Sequence, residues 1–173
     1  TERDVVMEER RMRTDSSPVG RLIEEFLGMA YLGHPYGRPL VGYRSDLDNF
    51  TREQCLELYD RYYVPSNVVI GLAGDVKVED VRELADEYFD DWKEGPKPPR
   101  VVTVEPPQRG ERRVALRDPG QPFLVIGYHK PDMFHPDAPV FDVITELVAN
   151  GRSSRLHERL VKDEKKAVAV GAV

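Results

Sequence analysis

Hydrophobic and polar residues alternate along this chain with two different periods. Residues Glu2 to Arg13 carry no Gly or Pro and are rich in charge, which suits a helix with an exposed charged face. Ser16-Ser17-Pro18 restarts the chain as a cap with proline at the first helical position. From there Leu22, Phe26 and Met29 or Ala30 fall three and four apart, predicting a second helix that ends near Gly33. The prolines of His34-Pro35-Tyr36-Gly37-Arg38-Pro39 exclude helix, so this stretch is predicted to be an ordered loop or bend. Thr51 with Gln54 reads as a capping box opening a helix to about Tyr63, whose inner face is Cys55, Leu58, Tyr59 and Tyr62. The near-continuous apolar run from Asn67 to Gly74 reads as a strand covered on both faces, although a run this short also fits a buried helix segment. An amphipathic helix from about Glu79 to Trp92 follows, with Val81, Leu84, Ala85, Tyr88 and Phe89 inward.

Composition then changes abruptly. Gly95-Pro96-Lys97-Pro98-Pro99 and Pro106-Pro107 mark an extended segment poor in packing residues. Beyond it, Arg113 to Arg117, Phe123 to Tyr128 and Ala167 to Val173 read as strands, Asp137 to Ala149 as a helix, and Arg155 to Val161 as a shorter one. The expectation is an α+β fold, a sheet flanked by helices. It is divided into residues 1–95 as the C-terminal part of a first α+β unit, a Pro-rich linker at 96–110, and 111–173 as the start of a second unit. The chain starts inside a helical run and stops inside an apolar one, as an excised piece would.

Charge and composition narrow the functional classes. The 173 residues include 25 Lys+Arg and 31 Asp+Glu, a net charge of −6, and the basic pairs are scattered among acids, which disfavours a nucleic-acid partner. No stretch approaches the ~20 apolar residues that membrane insertion requires. The single cysteine, Cys55, excludes an internal disulfide and a zinc ribbon, and its apolar helical setting predicts a buried, inert thiol.

Few residues point to chemistry. Glu2 and Glu9, seven apart, share one helical face two turns apart, where one carboxylate could reach a metal with the other behind it; on spacing alone a solvated acidic face is the favoured reading. His129 and His135 flank Asp132, but their spacing fits no zinc pattern and Pro131 breaks any helix that would align them. His34 and His157 stand apart. Gly74-Asp75 is a turn without a phosphate-binding fingerprint, and Gly151-Arg152-Ser153-Ser154 lacks the G-x-S-x-G of a nucleophile elbow.

Several segments in order carry a more specific signal. These are Glu2-Arg3-Asp4-Val5-Val6-Met7-Glu8-Glu9-Arg10-Arg11, His34-Pro35-Tyr36-Gly37, Gly74-Asp75-Val76, Tyr128-His129-Lys130-Pro131 with His135-Pro136-Asp137, and Gly151-Arg152-Ser153-Ser154-Arg155-Leu156. The set resembles the pitrilysin/insulinase family of zinc peptidases, the inverzincins, in particular bacterial members related to mitochondrial processing peptidases. In that family two histidines of an H-x-x-E-H helix and a glutamate of a later E-R-D-V-x-x-x-E segment hold zinc. The resemblance implies Glu9 as the third zinc ligand and Glu2 as a supporting carboxylate behind it. H-x-x-E-H itself is absent, so no catalytic base lies in this chain, and the chain alone is expected neither to bind zinc tightly nor to cleave peptides. The implied partners are a peptide or protein substrate and either the upstream and downstream parts of the same protein or a homologous subunit. The competing expectation is a non-catalytic partner subunit of the same fold.

Overall fold

The computed structural model describes residues 2–173, which separate into a unit ending at Val125 and a unit from Ile126 onward. In the first unit, α1 (Glu2–Arg10) runs directly into a π-helical turn, Arg11–Asp15, closed by the Ser16 N–H donating to the Arg11 carbonyl at 2.8 Å. Helix α2 (Pro18–Ala30) starts as its sequence requires: the Ser17 hydroxyl accepts from the Gly20 N–H at 3.0 Å, and Pro18 occupies a position whose missing donor costs nothing. Leu22, Phe26, Met29 and Ala30, the predicted stripe, are all half-buried. A short helix absent from the sequence reading, α3 (Arg44–Asn49), follows and carries the buried Leu47. Helix α4 (Arg52–Tyr62) opens with the expected capping box, since the Gln54 N–H donates to the Thr51 hydroxyl and the Thr51 N–H to the Gln54 side chain. Helix α5 (Val78–Phe89) stops three residues short of the predicted end.

The second unit holds α6 (Ala138–Val148) and a π-helical segment, His157–Asp163. Asn150 ties it together. Its Oδ1 accepts from the Ala172 N–H at 2.9 Å and its Nδ2 donates to Glu146 at 3.0 Å. Ser154, only 2% exposed, folds its hydroxyl onto the Gly151 carbonyl, while Gly151 turns the chain at φ +77.

The expected α+β architecture is corrected by these elements: the described residues form helices and no strand. The stretches 67–74, 113–117, 123–128 and 167–173 carry the alternating or continuous apolar pattern of strands, yet none is paired in a ladder. The reason is physical. A helix closes its hydrogen bonds four residues away within its own sequence, whereas a strand exists only when another segment supplies the facing donors and acceptors. Val69, Leu124 and Val168 are 96%, 81% and 91% exposed as a result.

Two inner faces also differ from expectation. Leu58, Tyr59 and Tyr62 on α4 are exposed, and so is Cys55, which corrects the expected buried thiol; Tyr59 instead stacks on Tyr63 with ring centroids 4.8 Å apart. On α5, Val81 and Ala85 are half-buried but Leu84, Tyr88 and Phe89 are exposed. Amphipathic spacing orients a face without supplying anything to cover it. Leu47, Val64 and Ala149 make up the buried apolar set among the described residues. The exposed area is 15305 Å², whereas two compact bodies of these sizes would expose about 10,000 Å². No helix among the described residues is long and apolar enough to cross a membrane.

Candidate functional site

Helix α1 positions the carboxylates. Both Glu2 and Glu9 lie within its nine residues, so they share one face about 10 Å apart along the axis, too far for both to hold the same ion directly. Glu2 is exposed in the first turn. Glu9 is half-buried, and its Oε1 pairs with Arg13 at 3.0 Å, one turn further on. A shallow groove runs beside it along the helix, lined by Asp4, Val5, Glu8, Glu9, Met12 and Arg13. Its apolar members Val5 and Met12 are exposed, so Glu9 borders a mixed surface that none of the described residues covers. The neighbouring Glu8 points to Arg11 instead, in a two-pronged contact at 2.5 and 2.7 Å that holds its carboxyl below the ordinary range.

Arg10, next to Glu9, fixes the helix in place. It is the one buried residue of α1, at 7% exposure. Its guanidinium donates to both carboxylate oxygens of Glu24 on α2, at 3.0 and 3.1 Å, and to the Gly42 carbonyl at 2.7 Å. Its Nε lies 3.4 Å from Asp15, an ion pair without hydrogen-bond geometry. The Glu24 hydrogen bonds raise the guanidinium further above its ordinary value, against the opposing effect of burial. Because successive residues on a helix point about 100° apart, clamping Arg10 fixes the direction in which Glu9 projects.

A catalytic zinc takes three protein ligands, and among the described residues no three His, Cys, Asp or Glu side chains converge. The residues present therefore do not make up a three-ligand site; of the four carboxylates on α1, Glu9 is the half-buried one. Two of the histidines, His34 and His135, serve the local backbone. His34 Nδ1 accepts from the Tyr36 N–H at 3.2 Å while its ring lies 5.5 Å from that of Tyr31 and 4.5 Å from that of Tyr36, and His135 Nδ1 accepts from the Asp137 N–H at 3.2 Å.

Two residues that organise the first unit carry no sequence signal. One is Arg10, a charge among charges in a polar helix. The other is Glu105, embedded in the Pro-rich stretch, whose carboxylate accepts from the backbone N–H groups of Leu32, Gly33 and His34, each at 2.8 Å. These bonds, with the Arg112 charge nearby, hold its carboxyl at about 2.

Comparison with known proteins places this chain among the zinc-peptidase relatives anticipated from its motifs. Residues 49–172 match the family described as Peptidase M16 inactive domain, and the chain belongs to that family. It is 35% identical over 172 residues to the zinc protease PqqE of Helicobacter pylori, covering 97% of this chain and 38% of that protein. A zinc protease of Mycobacterium leprae is 29% identical over 167 residues, covering 92% and 36%. The crystal structure of a protease from Helicobacter pylori superposes with a TM-score of 0.78 at 33% identity, over 95% of this chain and 40% of that one. The chain thus spans about two fifths of the length of these relatives.

Proposed function

We propose that this chain is a segment of a zinc-dependent metalloendopeptidase, in which Glu9 supplies one zinc ligand and Glu2 a supporting carboxylate, with the remaining ligands and the general base outside the chain. The observation that carries this is the state of Glu9: a half-buried carboxylate on a groove, on a helix whose direction the Arg10 clamp fixes. The family membership and the names of the similar proteins support the metal. Zinc supplies Lewis-acid activation to peptide hydrolysis in such enzymes. The residues of this chain contribute a ligand and its orientation. The substrate is a peptide or protein chain, enclosed by parts of the enzyme beyond this segment. The roughly 5,000 Å² exposed beyond what compact bodies of this size present supports association with those parts or with a homologous subunit.

The family's description as an inactive domain favours a second reading, a non-catalytic partner subunit of the same fold. One experiment separates the two. Glu9→Gln in the full-length protein is expected to reduce zinc content, read by elemental analysis of the purified protein, to below a tenth of wild type, and peptide cleavage with it. Zinc retained at full occupancy overturns the ligand assignment. A full-length wild-type protein that contains no zinc establishes the partner-subunit reading instead.

A further inference from the structure

Two turns of this chain share a sequence and a local geometry. In His34-Pro35-Tyr36 and in His135-Pro136-Asp137 the imidazole folds back onto the backbone, and its Nδ1 accepts the N–H of the residue two further on, each at 3.2 Å. The proline between has no N–H of its own, which leaves the ring to serve the next donor. A ring nitrogen that accepts carries no proton, so in both turns the neutral imidazole bears its hydrogen on Nε2. The turns differ in what else Nδ1 faces. At the second, Asp137 Oδ2 lies 3.7 Å from the same His135 Nδ1 that accepts the Asp137 N–H. At the first, residue 36 is a tyrosine, and the carboxylate that meets this turn, Glu105, has both oxygens engaged by the N–H groups of Leu32, Gly33 and His34. Protonation of His34 breaks its bond without offering another, whereas protonation of His135 exchanges one partner for a second on the same residue.

We propose that His135 is a proton-operated cap at the start of helix α6: the neutral ring holds the Asp137 N–H, and the imidazolium releases it and donates from the same Nδ1 to the Asp137 carboxylate. A charged imidazole has donors only, so acceptance at Nδ1 ends when the ring gains its second proton. Asp137 is free to make the exchange. It occupies the N-cap of α6 with no side-chain cap hydrogen bond, and among the described residues its carboxylate has no partner besides His135. Both side chains are open to water, 44% exposed at His135 and 64% at Asp137, so the pH of the medium reaches the pair directly.

The charged groups at this turn are Asp137 and Asp132. Asp132 is already committed to the backbone: its Oδ1 accepts the Phe134 N–H at 2.8 Å, and its carbonyl accepts the His135 N–H at 3.1 Å. The acid form therefore turns to Asp137. A carboxylate at a helix N-terminus favours the helix, and pairing it with a cation cancels that contribution. The first turn of α6 thus loses the held Asp137 N–H and the free negative charge together. Because the neutral ring makes the cap, the cap is in place above the range in which an imidazole titrates, about pH 5 to 8, and is lost as pH falls through it.

The test uses the full-length protein with isotope-labelled histidine, together with native-state hydrogen exchange. At about pH 8 the ring nitrogen shifts of His135, assigned by the signal that His135→Asn removes, should report Nδ1 without a proton; a proton on Nδ1 there overturns the proposal. Between about pH 8 and about pH 5, exchange at the Asp137 amide, corrected for the intrinsic rate, should accelerate about fivefold. In His135→Asn, whose side-chain oxygen accepts the same N–H whatever the pH, the acceleration should stay below twofold. A wild-type acceleration below twofold, or one that His135→Asn leaves unchanged, overturns the cap. Capture of the carboxylate has its own readout. At about pH 5 the His135 ring should hold one χ1 rotamer in the wild-type protein and average among rotamers in Asp137→Ala. Equal averaging in both proteins overturns the exchange.

Discussion

Replacing Arg10 by Met removes the guanidinium while retaining the length of the apolar stem, which isolates the polar clamp from packing. Three hydrogen bonds are lost, two to Glu24 and one to the Gly42 carbonyl, together with the Asp15 ion pair. A charge-assisted hydrogen bond contributes roughly 1.5–3 kcal/mol, and stripping one partner from a fully buried ion pair costs roughly 3–5 kcal/mol. Here the carboxylates left behind are not fully buried: the Glu24 side chain is 24% exposed and that of Asp15 37%, so both regain water. The cost is therefore set at the low end, about 3 kcal/mol, or about two orders of magnitude in a local opening equilibrium. Native-state hydrogen exchange in the full-length protein reads this at Gly42, Asp46 and Leu47, whose N–H groups donate to Pro39 and Tyr43 next to the clamp. The conservative partner change Glu24→Gln keeps one acceptor and should accelerate the same amides about tenfold. If Arg10→Met changes them less than threefold, the clamp does not hold α1 against the 39–47 segment, and it does not fix the direction of Glu9 through that contact.

Two further outcomes follow from the same geometry. Gly20→Ala would place a methyl group 1.9 Å from the Arg13 carbonyl oxygen, a backbone atom that cannot turn aside, so the junction between the π-helical turn and α2 must shift; a loss of about 3 kcal/mol is expected, and an unchanged thermal unfolding midpoint would refute the close approach. Cys55 is exposed on α4 and should react stoichiometrically with a thiol reagent in this chain without denaturant, whereas protection from the reagent would show that the α4 face is covered.

What could be read from the sequence was local. The Thr51–Gln54 capping box, the Ser17-Pro18 start of α2 and the helical run that puts Glu2 and Glu9 on one face all depend on residues within a turn or two of each other, and each is present. The family resemblance was legible for a related reason, because it rests on short ordered motifs. Glu9 itself was legible only as half of a spaced pair; its ion pair with Arg13 and the groove beside it required coordinates.

Tertiary structure decided the rest, because it depends on partners remote in sequence. Glu105 meets backbone groups about seventy residues away, and Arg10 meets Gly42 across thirty-two. No periodicity marks a lone carboxylate among prolines as an anchor. The apolar runs at 67–74 and 123–128 show the opposite case: their pattern fits a strand, but a pattern cannot supply the facing backbone, and among the described residues nothing does. Helices are determined by their own residues, while clamps and sheets are determined by what the rest of the molecule brings to meet them.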